Sequence, residues 1–131
     1  MVGAGMTAGQ RLDIVLIGPE WPMRALLRAQ LIEEGYETVA ADGWPVPREY
    51  LRPETRPRLV IVDLHGLPDP AAALTELRTL FGADRVLVIA AFGTLSPEQL
   101  RESGVHVIAR PASVGDIVAR TRAFFSSEFS V

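Results

Sequence analysis

The stretch Arg58-Leu59-Val60-Ile61-Val62-Asp63-Leu64 decides the fold. It starts on a cation, runs through four consecutive branched aliphatic residues and stops on a carboxylate. A strand with one wet face alternates apolar and polar residues. Leu59 to Val62 does not alternate, so both faces must be covered, as in a parallel sheet with helices on either side. Four more short runs fit the same reading: Asp13 to Ile17, Glu37 to Ala41, Val86 to Ala90 and Val105 to Ile108. The second of these is the least apolar and rests on its context.

Helical patterns lie between the runs. Pro22 to Glu34 sets Met23, Leu26, Leu27 and Leu31 at helical spacing, with Gly35 as a stop. Asp69-Pro70 opens Ala71 to Phe81, with Asp69 as N-cap and Pro70 in the first turn. Ser96-Pro97-Glu98 repeats that signal, and Gly104 closes a short helix. Ser113 caps a last helix through Phe125, with Asp116 in its first turn and Arg120 and Arg122 towards its end. The predicted order is β-α-β-loop-β-α-β-α-β-α, an α/β, doubly wound, five-stranded parallel sheet. Gly43 to Pro57 carries Pro45, Pro47, Pro53 and Pro57, which predicts an irregular second helix, at most one turn over Arg48 to Leu51. The expected division is a disordered lead over 1–10, one domain over 11–127 and a tail over 128–131.

With 131 residues, 48% of them hydrophobic, the chain suffices for one real core. A net charge of −3 gives no electrostatic reason for a nucleic-acid or anionic-membrane partner. No apolar run reaches the length of a membrane span, and the N-terminus lacks the pattern of a signal peptide, so the expected location is cytoplasmic. There is no cysteine, which excludes disulfides and thiolate metal sites. All thirteen basic residues are arginine, so no chemistry here uses a lysine ammonium.

In an open parallel sheet, ligands bind beyond the carboxyl ends of the strands. Those positions hold Gly18-Pro19-Glu20 after strand one, Asp63-Leu64-His65 after strand three, Ala91 to Thr94 after strand four and Arg110-Pro111 after strand five. Three stretches, "DIVLIGPEWPMRALLRAQLIEEGYETV", "RLVIVDL" and "VIARPASVGDI", resemble in order and spacing the receiver domains of bacterial response regulators, over roughly residues 12 to 125. The resemblance implies a flavodoxin-like (CheY-like) fold and a part in two-component signalling or phosphorelay.

In that family two acids after strand one and a phospho-accepting aspartate hold Mg²⁺. A Ser or Thr ending strand four and a Lys after strand five contact the phosphoryl group. By this resemblance Asp63 takes the place of the phospho-acceptor. Gly18 and Pro19 replace the acidic pair, Ala90 replaces the Ser or Thr switch residue, and Arg110 replaces the lysine with Pro111 retained. Phosphoryl transfer needs charge neutralised at the moving group, and Mg²⁺ takes carboxylates in tight octahedral geometry. Glu20, one residue further on, is the carboxylate left to join Asp63 at a metal; Thr94 is too far along its loop to replace the hydroxyl. Arg110 keeps the charge as a planar fork able to pair with Asp63. A cis bond at Arg110-Pro111 is a family feature that sequence leaves open.

The implied function is a pseudo-receiver: a signalling module that works by protein contact, without normal Mg²⁺-dependent phosphorylation and without a cofactor. The contacting surface would be the fourth and fifth helices of the receiver frame, counting the irregular segment as second, with a homodimer, a histidine kinase or an output domain as partner. The chain is then a stand-alone adaptor or a domain of a larger regulator. Two alternatives stand beside this reading. One is a working phospho-receiver on Asp63, with no enzymatic activity beyond its own phosphorylation from a kinase or small phosphodonor. The other is a small-ligand binder at the strand-end crevice.

Other motifs carry less. Asp63-Leu64-His65-Gly66 is similar to the start of the Asp-x-His-x-x-Gly loop of cobalamin-binding domains, but Pro68 stands in the last position. No Rossmann fingerprint, P-loop or nucleophile elbow is present. His65 and His106 read as a loop residue and a structural residue. Trp21 and Trp44 are placed near one rim, as a recognition surface or as filler for the space of the acidic pair. Of Phe124, Phe125 and Phe129, core packing is expected for Phe124 or Phe125.

Overall fold

A computed structural model describes residues 12–18, 21–46, 57–90, 95–109 and 112–129; for residues 21, 22, 128 and 129 it describes the backbone alone. The elements are β1 (Ile14–Ile17), α1 (Trp21–Glu33), β2 (Thr38–Ala41), β3 (Leu59–Asp63), α2 (Pro70–Phe81), β4 (Val86–Ala90), α3 (Pro97–Ser103), β5 (His106–Ala109) and α4 (Val114–Phe129). One 3₁₀ turn, Ala83–Arg85, leads into β4. All strand pairs are parallel, in the order β2-β1-β3-β4-β5.

The unbroken aliphatic runs are explained by two cores, one on each face. Val15, Ile17, Val60, Val62, Val86 and Val88 point to the α2 and α3 side, where they meet Leu74, Leu77, Phe81 and Leu100. Their neighbours Ile14, Leu16, Leu59, Ile61, Leu87 and Ile89 point to the α1 and α4 side, against Leu27, Leu31, Ile117 and Phe125. The side-chain period of two assigns alternate residues of each strand to opposite cores, so a polar residue within the run would be buried on either face.

The caps form as the sequence predicts. Asp69 Oδ1 accepts the Ala72 N–H at 3.1 Å. Ser96 and Gln99 form a reciprocal capping box, and Gly104 ends α3 in the left-handed conformation at φ 79°. Ser113 and Asp116 make the equivalent exchange at the start of α4, with both bonds at 3.0 Å.

Two expectations need correction. Leu26 does not join the buried face of α1; it is 56% exposed, while Leu27 and Leu31 are buried. Neighbouring helical residues diverge by about 100°, and the i, i+4 stripe through Met23, Leu27 and Leu31 wins the core. The last helix runs past Phe125 to Phe129, so Arg120 and Arg122 lie in mid-helix and do not serve the macrodipole. Arg122 instead forks onto Glu34, Nε to Oε1 at 2.6 Å and a terminal nitrogen to Oε2 at 3.0 Å. Arg120 donates to the Val107 carbonyl at 3.2 Å, capping an acceptor on edge strand β5. The cis proline bond among the described residues is Trp44–Pro45; Arg110-Pro111 lies outside them. Among the described residues no helix is long and apolar enough to cross a membrane.

Candidate functional site

The order of strands reverses between β1 and β3, and the crevice at their carboxyl ends is where an open α/β sheet places a site. Register brings Ile17 beside Val62, so the next step along both strands brings Gly18 beside Asp63. Asp63 also pairs with Ile89, one residue before Ala90. Asp63, Gly18 and Ala90 are thus gathered at one end of the sheet by chain positions 45 and 27 residues from Asp63, which local sequence cannot bring together.

Asp63 is 7% exposed. Its Oδ1 accepts the backbone N–H of His65 at 3.0 Å, closing the first turn of the β3–α2 loop as an Asx turn. One of its two oxygens therefore already serves the fold. Gly18 packs directly onto it: a Cβ at position 18 would lie 2.9 Å from Asp63 Cβ. Real β-carbons do not approach so closely, so glycine here is a packing requirement. Ala90 carries no hydroxyl and packs, partly buried, on the valine-rich core.

Arg24 is a member of this site that the sequence reading did not single out. It lies on the first turn of α1, six residues after Gly18. Its terminal nitrogen donates to the Gly18 carbonyl at 3.0 Å and to Asp42 Oδ1 at 2.6 Å. The Arg24 side chain is 16% exposed, while that of Asp42, at the end of β2, is 92% exposed, so the ion pair itself is largely screened. Its structural effect is to tie the ends of β1 and β2 to α1. The signal available beforehand was an arginine one turn into the helix that follows strand one; its partners come from tertiary structure.

Arg24 and Asp63 line the same cavity, together with Gly18, Met23, Leu27, Ile61 and Ile89. Its volume is about 30 Å³, room for one or two waters and not for an organic ligand. A wider depression of about 580 Å³ opens between Ala40–Pro45 and Gly66–Pro68. Among the described residues its lining offers the Asp42 carboxylate and no cation. Trp44 borders it and donates its indole N–H to Glu76 on α2, which fixes the ring against the valine-rich core.

Mg²⁺ would need several oxygens in octahedral array. The described residues bring the Asp63 carboxylate to the strand ends, and Gly18 beside it has no side-chain oxygen. Among the described residues no group of three or more His, Asp or Glu side chains converges. Pro19, Glu20, Thr94, Arg110 and Pro111 lie outside the described residues, as do the Arg48 to Leu51 turn and the side chains of Trp21 and Phe129.

The histidines sit apart. His65 is exposed in the loop after β3, and His106 is at the opposite end of the sheet, with Nε2 3.1 Å from the Asp84 carbonyl. Phe125 is buried and stacks on Tyr36 at 4.7 Å, and Phe124 is partly buried with its ring edge-on to His106.

No family model and no curated protein matches the sequence. Solved structures do. An adenylate cyclase from Rhodopirellula baltica superposes with a TM-score of 0.71 at 16% identity, covering 89% of each chain. A response regulator receiver protein from Pseudomonas putida gives 0.70 at 22% identity, covering 87% of this chain and 98% of that one. NtrX from Brucella abortus, in complex with ATP, gives 0.67 at 26% identity over 88% of this chain. This chain spans 27% of the NtrX chain. The architecture is thus that of CheY-like response-regulator receiver domains, with the five-stranded doubly wound sheet found in those structures.

Proposed function

We propose that this chain is a receiver-type signalling module that works by protein contact and does not run the usual Mg²⁺-dependent phosphorylation of Asp63. The observation that carries this reading is the packing of Gly18 on Asp63. A carboxylate at position 18 would hold the metal in an ordinary receiver; here the space for its β-carbon is already filled by Asp63 itself, 2.9 Å away. Two further features support it. One oxygen of Asp63 is engaged by the His65 N–H, and Ala90 offers no hydroxyl to report a phosphoryl group to the loop after β4. Without those couplings the strand ends have no phosphate-driven switch, and signalling would rest on surfaces.

The surfaces proposed for that contact are α3, edge strand β5 and α4, with a kinase, an output domain or a second copy as partner. Titration with Mg²⁺ and beryllofluoride, read by tryptophan fluorescence and by the amide resonances around Asp63, tests the reading. The expected result is no saturable response at millimolar metal. A saturable response centred on Asp63 and Glu20 would make the chain a working phospho-receiver and overturn the proposal.

A further inference from the structure

The outward face of α1 is apolar where a packed helix ordinarily turns charged residues to water. Leu27 and Leu31 fill the core from the inner face. On the outer side Ala25, Leu26, Ala29 and Ile32 are all exposed. Among the described residues the exposed large hydrophobics are Leu26, Ile32 and Leu80, and two of the three stand on this face.

The spacing of that face is specific. Ala25, Ala29 and Ile32 are separated by four residues and then three, the alternation of a coiled-coil seam. A heptad with Ala25 and Ile32 at d and Ala29 at a places Leu26 and Glu33 at e and Arg28 at g. In a parallel helix pair, a g residue faces the e residue five positions on in the other helix. Arg28 and Glu33 have that separation and opposite charge. Within α1 neither meets an opposite charge three or four residues away, the spacing at which helix neighbours pair. Arg28 gives its Nε–H to the Thr38 carbonyl at 3.1 Å. That acceptor is neutral, and the bond uses one of five N–H groups.

We propose that α1 is a self-association surface, through which two copies of this chain pair in parallel about a two-fold axis. Ala25, Ala29 and Ile32 form the seam, and Arg28 of each copy faces Glu33 of the other. A second copy is the occupant because one helix supplies both halves of the charge contact, at positions that exchange under the two-fold, as an isologous interface requires. The alanines let the helix axes approach closely. A helix of 13 residues is about 20 Å long, and one such pair buries less than the roughly 1,200 Å² of a stable interface, so the dimer is weak and reversible. α1 lies beside edge strand β2, and β5 is the opposite edge, so the dimer leaves the β5 side open to a different protein. None of this depends on the state of Asp63.

Sedimentation velocity of the full chain in low salt, from low micromolar to millimolar protein, tests the pairing. The sedimentation coefficient rises with concentration. Glu33→Arg and Arg28→Glu each turn two attractive contacts into repulsive ones and weaken association by about tenfold. An equimolar mixture of the two variants associates again, because both contacts are then attractive. Ile32→Gln, at an exposed seam position, abolishes association, and Leu80→Gln, exposed on α2, leaves it unchanged. An antiparallel pair would set Arg28 against Arg28, and the single charge swaps would then have no effect. A monomer at millimolar concentration, charge-swapped variants that associate like the parent, a mixture that stays monomeric, or a loss with Leu80→Gln equal to that with Ile32→Gln would each overturn the proposal.

Discussion

Gly18 and Asp63 touch across the β1–β3 switch point so closely that a β-carbon on one would lie 2.9 Å from the β-carbon of the other. That meeting place lies at the carboxyl ends of the two strands. Here it is built from main chain, a buried aspartate and the Arg24 guanidinium that holds the Gly18 carbonyl. Placing a carboxylate there by Gly18→Asp is therefore expected to strain the strand ends rather than to build a metal site. The new side chain forces β1 and β3 apart, and overpacking of this kind costs about 1–3 kcal/mol. Urea denaturation measures the loss, and Gly18→Ala shows a similar one because the conflict begins at Cβ. A Gly18→Asp protein as stable as the parent that also gained Mg²⁺ affinity would contradict this account.

Phe125 joins the last helix to the sheet. It is buried at 4% exposure, stacks on Tyr36 at 4.7 Å and lies under the Arg58 guanidinium at 5.0 Å. Phe125→Ala removes a full ring from that contact and is expected to destabilise by about 3–5 kcal/mol. Phe124→Ala loses less, since Phe124 is partly exposed. Comparing the two by thermal and chemical unfolding separates core packing from surface apolarity.

The capping box of α3 offers a local test. Ser96→Ala removes the oxygen that accepts the Gln99 N–H at 3.0 Å and leaves that donor unserved. The expected cost is about 1 kcal/mol. Because α3 covers the core through Leu100, faster amide exchange over residues 97–103 accompanies it.

Acid should loosen the α1–α4 contact. The Glu34 carboxyl is held below its ordinary value, first by its hydrogen bond to Arg122 and then by the charge of that arginine. The Asp116 carboxyl is held low by the Ser113 N–H and hydroxyl. A carboxylate with a lowered folded pKa gives stability that is complete above its unfolded value. That stability is lost as pH falls through the folded one. The unfolded values are near 4.5 for glutamate and 3.8 for aspartate, so the effect is in place at neutral pH and is lost progressively as pH falls below those values and through the lower folded ones. Glu34→Gln and Asp116→Asn should flatten the acid limb of a stability–pH profile without changing it near neutrality beyond the loss of the pair itself.

The exposed leucine of α1 gives the cleanest contrast between pattern and burial. Leu26→Gln should change stability by less than about 0.5 kcal/mol, as surface substitutions usually do. Leu31→Ala, at a fully buried position on the same helix, should cost about 2–5 kcal/mol. Equal losses at the two sites would mean that Leu26 is covered in solution.

The strand runs, the two-sided burial of the sheet and the caps at Asp69, Ser96 and Ser113 were legible in the chain because they depend on neighbours a few residues away. Unbroken Val and Ile runs require cover on both faces, and an N-cap needs only its own first turn. The sequence also showed which residue types stand at the strand ends, with glycine at 18, aspartate at 63 and alanine at 90, since that is a matter of residue identity alone. It did not show that Gly18 is required where it stands, that Arg24 closes the β1–β2 end, that Leu26 faces out, or that Arg120 and Arg122 serve a strand edge and a helix contact. Each of these depends on two segments distant in the chain meeting at a set separation and rotation. Only the packed sheet, by fixing strand register and the facing of each helix, decides which side chains share a space.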